Sequence, residues 1–249
     1  MASMITTTPR LNLVQRALNR AGRQFGVMPF PIRFQPEGPL GGPRDQVFKT
    51  INEHNLWGSS ESVSGPGSEL NRTKKYRDAL LEMLRRRNIT SMFDAPCGDL
   101  NWIRLVLDQY SLQYEGGDIS EGALTVARRV RPGVNVYRFD ICTDLFPDLQ
   151  LWHCRDALFH LSFADIWLAL KNVSNAQFEY ALITTNRARW LKNVDIKTGA
   201  MRYLDFERAP FSLGRPLEYL PDGVAGEFPR YVALWPIDAI RNAVKQANV

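Results

Sequence analysis

Asp94, Asp118 and Asp140 follow one another at intervals of about twenty residues, close to the length of one strand-helix unit. If each closes a strand, right-handed winding lines the three carboxylates up along one edge of a parallel sheet. Such a row suits a ligand carrying hydroxyls, an amine and a positive charge. It suits a pyrophosphate poorly. Helix capping accounts for any one of the three aspartates, but less well for all of them together. The first ends the stretch Ser91-Met-Phe-Asp94, which reads as a buried strand, and a tight turn through Gly98 to Asp99 follows. A Gly-x-Gly-x-x-Gly run, the mark of a dinucleotide cradle, is absent.

A second group of reactive side chains lies in Cys154-Arg-Asp-Ala-Leu-Phe-His-Leu161. Asp156 and His160 stand one helical turn or a short bend apart, and both are candidates for a general base. His160 leads, because its unperturbed pKa suits proton transfer near neutrality. The alternatives are a packing role for His160 and an orienting role for Asp156. A metal site is not favoured, a divalent ion held by Asp156 and a later loop carboxylate being the alternative: no His pair has ligand spacing, and the three cysteines, Cys97, Cys142 and Cys154, show neither CxxC nor Cys/His zinc spacing. They read as reduced, packed thiols.

The elements that must position these groups alternate regularly from residue 89 onward. Strands are predicted over Thr90–Ala95, Tyr114–Ile119, Val134–Asp140, Leu149–Arg155 and Tyr180–Thr185. Helices are predicted over Asn101–Tyr110 and Glu121–Val130, and from Phe163 behind the capping box Ser162-x-x-Asp165. Earlier, Asp45–Glu53 reads as a short helix, and Ser68 as the cap of a helix that ends in Arg85-Arg86-Arg87. Leu217–Leu220 and Tyr231–Trp235 read as a closing hairpin around Pro221-Asp222-Gly223, before a last helix from Ile237. Such alternation implies a parallel sheet covered by helices on both faces.

On these residues the chain resembles the class I S-adenosylmethionine-dependent methyltransferases. Asp94-Ala-Pro-Cys-Gly-Asp99 looks like that family's first motif, Asp118 like its ribose-binding acid, Asp140 like the acid beside the adenine, and Cys154–Leu161 like its fourth motif. The resemblance implies a Rossmann-like, doubly wound α/β fold: a mostly parallel seven-stranded sheet with helices on both faces, plus an N-terminal helical extension. It implies S-adenosyl-L-methionine as cofactor, held by Trp57, Asp94, Pro96, Gly98, Asp99, Asp118, Ile119, Asp140, Ile141 and Arg155. Pro96 departs from the pattern, standing where the family usually has a glycine and removing one N–H.

Residues 1–56 are expected to be an amphipathic helix and a Pro/Gly-rich linker, and residues 57–249 the methyltransferase domain. Leu11, Val14, Leu18, Ala21 and Phe25 recur at helical spacing, and no acidic residue precedes Glu37. A transit peptide directing the chain to mitochondria, a helix on a membrane surface and a helix packed on its own domain or on a partner all fit this pattern. Trp57 with Ser60–Ser68 reads as a lid over the cleft or as an anchor for a loose linker. Arg187, Trp190, Asn193, Arg202 and Tyr203, after the fifth strand, are expected to contact the acceptor.

The expected activity is methyl transfer to an oxygen or nitrogen of a small molecule or glycan, in the cytoplasm. The net charge of +5 admits a nucleic-acid acceptor, yet no RNA-binding module is recognisable. A non-catalytic binding module is the third reading, and the intact acidic row argues against it. No apolar run is long enough to span a membrane. The oligomeric state has no signal in the sequence.

Overall fold

A computed structural model describes residues 13–23, 25–28, 33–34, 41–223 and 227–248. Leu11 of the expected N-terminal helix lies outside the described residues. In chain order the elements are α1 (Leu13–Arg23), β1 (Arg33–Phe34), α2 (Arg44–Glu53), α3 (Leu70–Arg86), β2 (Ser91–Asp94), α4 (Arg104–Leu107), β3 (Gln113–Asp118), α5 (Glu121–Val130) and β4 (Val136–Arg138). Then come β5 (Leu151–Cys154), α6 (Phe163–Ser174), β6 (Tyr180–Asn186), β7 (Met201–Arg202), β8 (Glu218–Pro221), β9 (Arg230–Pro236) and α7 (Ile237–Ala247).

Seven strands form one sheet in the order β4-β3-β2-β5-β6-β9-β8. The first five are parallel, β9 runs antiparallel to β6, and β8 antiparallel to β9. The winding reverses between β2 and β5, so a crevice opens outside their carboxyl ends. The fold is the doubly wound, mostly parallel seven-stranded α/β sheet expected from the sequence.

Side-chain alternation separates the two faces. Met92, Leu151, Leu182, Val232 and Leu234 point to one core, with Tyr76, Leu80 and Leu84 of α3 and Leu124 of α5. Their neighbours Phe93, Trp152, Ala181, Ile183, Ala233 and Trp235 point to the other, against Ile166, Leu170 and Val173 of α6 and Ile240 of α7. Period-two alternation of large apolar residues is what a strand buried on both faces requires. Gly117 is demanded by close approach: a Cβ there would lie 2.6 Å from Phe139 Cβ and 2.8 Å from Phe93 Cζ.

Several local expectations are corrected. The helix predicted over Asn101–Tyr110 is α-helical only from Arg104 to Leu107. Leu100 is left-handed at φ 59° and Asp99 accepts the Asn101 N–H at 3.1 Å, so the chain makes turns before it can wind. Ser68 does not cap α3. It ends a 3-10 turn (Pro66–Ser68), Glu69 takes the cap position, and the Leu70 N–H is satisfied by Glu61 at 2.7 Å. The strand predicted over Val134–Asp140 is reduced to Val136–Arg138. Ser162 does cap α6, accepting the Asp165 N–H at 3.1 Å.

Candidate active site

The loop after β2 has spent its backbone donors. The Ala95 N–H bonds His153 O at 2.9 Å, and Cys97 N–H bonds Gly117 O at 2.9 Å. Gly98 N–H goes to Asp118 Oδ2 at 2.9 Å, Asp99 N–H goes to Ser64 Oγ at 3.0 Å, and Pro96 has none to give. No N–H from Ala95 to Asp99 is left to cradle a phosphate. Gly98 sits at φ +61°, and a Cβ there would lie 2.3 Å from Ser64 Oγ, so only glycine fits this turn.

The three acids at the strand ends are used in three ways. Buried Asp94 accepts His153 Nδ1–H at 2.6 Å and the Tyr114 hydroxyl at 2.8 Å, and His153 Nε2 in turn accepts the Tyr76 hydroxyl at 2.8 Å. Both Asp94 oxygens thus have protein donors, in a chain that locks α3, β2, β3 and β5 together beneath the cleft. Asp118, also buried, takes one backbone N–H on each oxygen, from Ser120 at 2.8 Å and Gly98 at 2.9 Å. A carboxylate oxygen accepts more than one bond, so Asp118 keeps acceptor capacity toward the cleft. Burial raises its pKa to about 6, against the two N–H groups, which pull it down.

Asp140 is gripped by Arg44, which reaches it from α2 with Nη2 at 2.8 Å and Nε at 3.1 Å and holds Asp165 through Nη1 at 2.8 Å. Burial alone would lower the pKa of Arg44, but the Asp140 hydrogen bond and the nearby carboxylates raise it. This clamp ties α2 over the end of β4. Phe48 and Asn52 of the same helix join the cleft wall, and Asn52 Nδ2 bonds Val63 O at 3.2 Å. Residues 44–53, assigned from sequence to the extension, thus form part of the cleft.

At the end of β5, Arg155 is held by the protein itself. Its Nε and Nη2 grip Asp222 at 3.0 and 2.9 Å, Nη2 also bonds Gly67 O at 2.9 Å, and the guanidinium lies over the rings of Trp102 (5.2 Å) and Tyr76 (5.4 Å). It fastens the β8–β9 hairpin and the Pro66–Ser68 turn to the sheet. Asp156 is left-handed at φ 55°, with its oxygens near Arg230 at 3.1 Å and Arg155 at 3.4 Å. Burial pushes its pKa up, but the two arginines outweigh this and hold it below the usual carboxylate range. An acid so stabilised as its anion is a poor proton acceptor.

His160 differs. Its Nδ1 lies 2.9 Å from Ala200 O, which places the proton on Nδ1 and leaves Nε2 as the open lone pair. Burial lowers its pKa to about 4, outweighing the Ala200 carbonyl and Asp156. The Trp57 ring leans on it at 5.2 Å, with Phe48 6.4 Å from Trp57 on the other side.

One cleft gathers Trp57, Asp94, Pro96, Gly98, Asp118, Ile119, Asp140, Ile141, Arg155, Asp156 and His160. Asp99 is not in its lining. It instead accepts Ser62 Oγ–H at 2.8 Å and Val63 N–H at 2.9 Å, pinning the Ser-rich segment onto the β2 loop. The five residues expected to meet the acceptor are not in its lining either. Arg187 lies 4.4 Å over the Tyr219 ring, Trp190 is exposed, and Asn193 bonds three backbone carbonyls of residues 205–209. Arg202 is buried and donates to the Leu158 and Leu161 carbonyls, shaping the turn that presents His160, and Tyr203 packs on Phe228.

Sequence reasoning missed Arg44, Phe48, Asn52, Trp102 and His153 as parts of this site. His153 alone had a local signal: a histidine inside the buried run Leu151-Trp-His-Cys154 must find polar partners. The three thiols are buried and free, and burial raises their pKa values, that of Cys142 to about 12.

Comparison of the sequence with protein-family models and with curated proteins found no match. Comparison with solved structures did. Magnesium protoporphyrin IX methyltransferase from Synechocystis, with S-adenosylhomocysteine bound, superposes with a TM-score of 0.54 at 11% identity, over 77% of this chain and 96% of that one. The mitomycin 7-O-methyltransferase MmcR gives 0.54 at 14% identity, over 76% and 60%. TehB from Haemophilus influenzae gives 0.50 at 13%, over 68% and 66%. The chain thus shares the fold of these proteins, the doubly wound α/β sheet of S-adenosylmethionine-dependent methyltransferases.

Proposed function

We propose that the chain is an enzyme that transfers the methyl group of S-adenosyl-L-methionine to a hydroxyl, or to an unprotonated nitrogen, of a small molecule or glycan. The observation that carries this reading is Asp118. It faces the cleft at the switch point with acceptor capacity unspent, beside a loop whose N–H groups are all taken. That combination welcomes a neutral diol and refuses a phosphate, as the ribose of a nucleoside without phosphates requires.

In this reading Asp118 accepts the ribose hydroxyls, while Ile119, Phe139 and Ile141 supply apolar walls near the base. Asp140, steadied by Arg44, lies at the adenine end. Asp94 works through others, holding β2 and its loop in place with His153 and Tyr114. The bound donor supplies an electrophilic methyl group on a sulfonium. What the protein adds is alignment, a wall of Trp57 and Phe48 against water, and an acceptor for the proton that the nucleophile must lose.

His160 suits that last role for some acceptors only. With a pKa of about 4 its Nε2 is neutral and available throughout the physiological range. It is too weak a base to strip an ammonium. A hydroxyl becomes strongly acidic only as its bond to carbon forms, and a weak, well-placed base then suffices.

Two measurements test the proposal. Calorimetric titration with S-adenosylhomocysteine should show binding that Asp118→Asn weakens by about 1–3 kcal/mol, the worth of charge-assisted hydrogen bonds. Incubation with methyl-labelled donor and fractionated hydroxylated metabolites should label an acceptor in a fraction free of protein and nucleic acid. Absence of binding by the unaltered chain would remove the proposal.

A further inference from the structure

Helix α1 is docked with its apolar stripe outward. Val14, Ala17, Leu18 and Ala21 recur at helical spacing, and Phe25 follows just beyond the helix end. Val14 is 65% exposed, Leu18 49% and Phe25 81%, and both alanines face solvent. The side turned inward carries Asn19, only 2% exposed, with Gln15 and Gly22 half-buried. A surface helix normally does the opposite, burying its apolar stripe against the core.

A second segment extends this face. Val27 pairs with Arg189, Met28 N–H bonds Arg189 O at 3.0 Å, and Arg189 N–H bonds Gly26 O at 2.7 Å. Trp190 follows directly, 59% exposed, with the Arg189 guanidinium 5.8 Å from its ring centroid. Among the described residues nine large apolar side chains are exposed, and five of them (Leu13, Val14, Leu18, Phe25 and Trp190) belong to these two joined segments. Scattered exposure needs no explanation, but a cluster marks a contact surface.

We propose that this face docks on an anionic lipid surface, with α1 lying among the headgroups. Charge selects lipid over a second copy of the chain. Residues 1–36 contain five arginines and no Asp or Glu. Arg16 and Arg20 are exposed on α1, and Arg189 and Lys192 are exposed beside Trp190. Two such cationic faces repel across a two-fold axis, whereas anionic headgroups attract them. Tryptophan is also a side chain that favours the membrane–water interface. No helix among the described residues is long and apolar enough to cross a membrane, so the attachment is peripheral. Trp190, expected from sequence to contact the acceptor, serves the lipid surface instead.

Flotation of the full chain with phosphatidylcholine vesicles, with and without phosphatidylserine, tests this. Binding should require phosphatidylserine and weaken as salt is raised. The double variant Val14→Asp/Leu18→Asp should partition roughly tenfold less or weaker still, while binding S-adenosylhomocysteine as the parent does. Since both positions are exposed, circular dichroism of the variant should match the parent. No flotation with anionic vesicles, equal flotation with neutral ones, or an unaffected double variant each overturns the proposal. Light scattering that shows a dimer dissolved by the double variant assigns the face to a second copy, and overturns it too.

Discussion

If Asp118 holds the ribose as proposed, cofactor binding follows the titration of its carboxyl. Burial is the largest influence on this carboxyl and raises its pKa to about 6, against the N–H groups of Ser120 and Gly98. If ribose hydroxyls bind only the carboxylate, the protonated fraction is lost to binding. Lowering the pH from about 7.5 to about 5 takes the carboxylate from nearly all of the protein to about a tenth, which raises the apparent Kd about tenfold, or about 1.4 kcal/mol. The sign is fixed: binding is strongest above pH 6 and declines below it. His160, with a pKa of about 4, stays neutral across this range. Calorimetric titration with S-adenosylhomocysteine at half-unit steps measures the profile, and Asp118→Asn should bind weakly at every pH without the slope. A parent protein whose affinity is flat from pH 7.5 to 5, or an Asp118→Asn variant that keeps the slope, refutes the reasoning.

The remaining predictions concern rate, stability and the α2 clamp. His160→Gln should lower methyl transfer by about 10²–10⁴-fold, the usual worth of a general base, with Kd for S-adenosylhomocysteine within a few-fold. A loss of binding with unchanged turnover per bound complex would assign the residue to packing. The same variant reports linkage. His160 takes its proton below about 4 when folded and near 6.5 when unfolded, so the parent's stability is full above pH 6.5 and falls toward pH 4. The variant should lack about 3 kcal/mol of that acid loss, read from urea curves at the two ends. Arg155→Met strips buried Asp222 of both its side-chain hydrogen bonds and leaves it only the Arg230 guanidinium at 3.4 Å, and should cost about 2–3 kcal/mol of stability, seen as a lowered Tm. Arg44→Met should weaken S-adenosylhomocysteine binding a few-fold by releasing Phe48 and Asn52. Tighter binding would show instead that Arg44 competes with the base for Asp140.

The row of aspartates was legible because it is a one-dimensional period: one strand, one helix and the next strand end. The alternation of Met92 with Phe93 and of Leu151 with Trp152 was legible for the same reason, since side chains on successive strand positions must take opposite faces. The Arg44–Asp140 clamp spans 96 residues, and nothing near Arg44 in the sequence announces its partner. The helix expected from Asn101 failed more locally. Asp99 captures the Asn101 N–H and Leu100 turns left-handed, a side-chain competition with the backbone that periodicity does not register.

The harder distinction lies among polar residues in one cleft, where type and place do not separate function from support. Asp94 and Asp118 end adjacent strands and look equivalent in sequence. Yet Asp94 has given its oxygens to His153 and Tyr114, while Asp118 holds only two backbone N–H groups and keeps room for more. Asp156 and His160 look like equal candidates for the base, but two arginines hold Asp156 as its anion, and His160 alone offers an open lone pair. Arg155 and Asn193 have the side chains of binding residues and spend them on Asp222, Gly67 and the carbonyls of residues 205–209. Because buried polar groups must be satisfied, most are satisfied by the protein itself. On the proposed reading, the residues that act are those whose satisfaction is incomplete without a ligand, and that remainder is a property of three-dimensional pairing. Asp118 and His160 are where this cleft leaves it, and substitutions there should alter binding or rate before they alter stability.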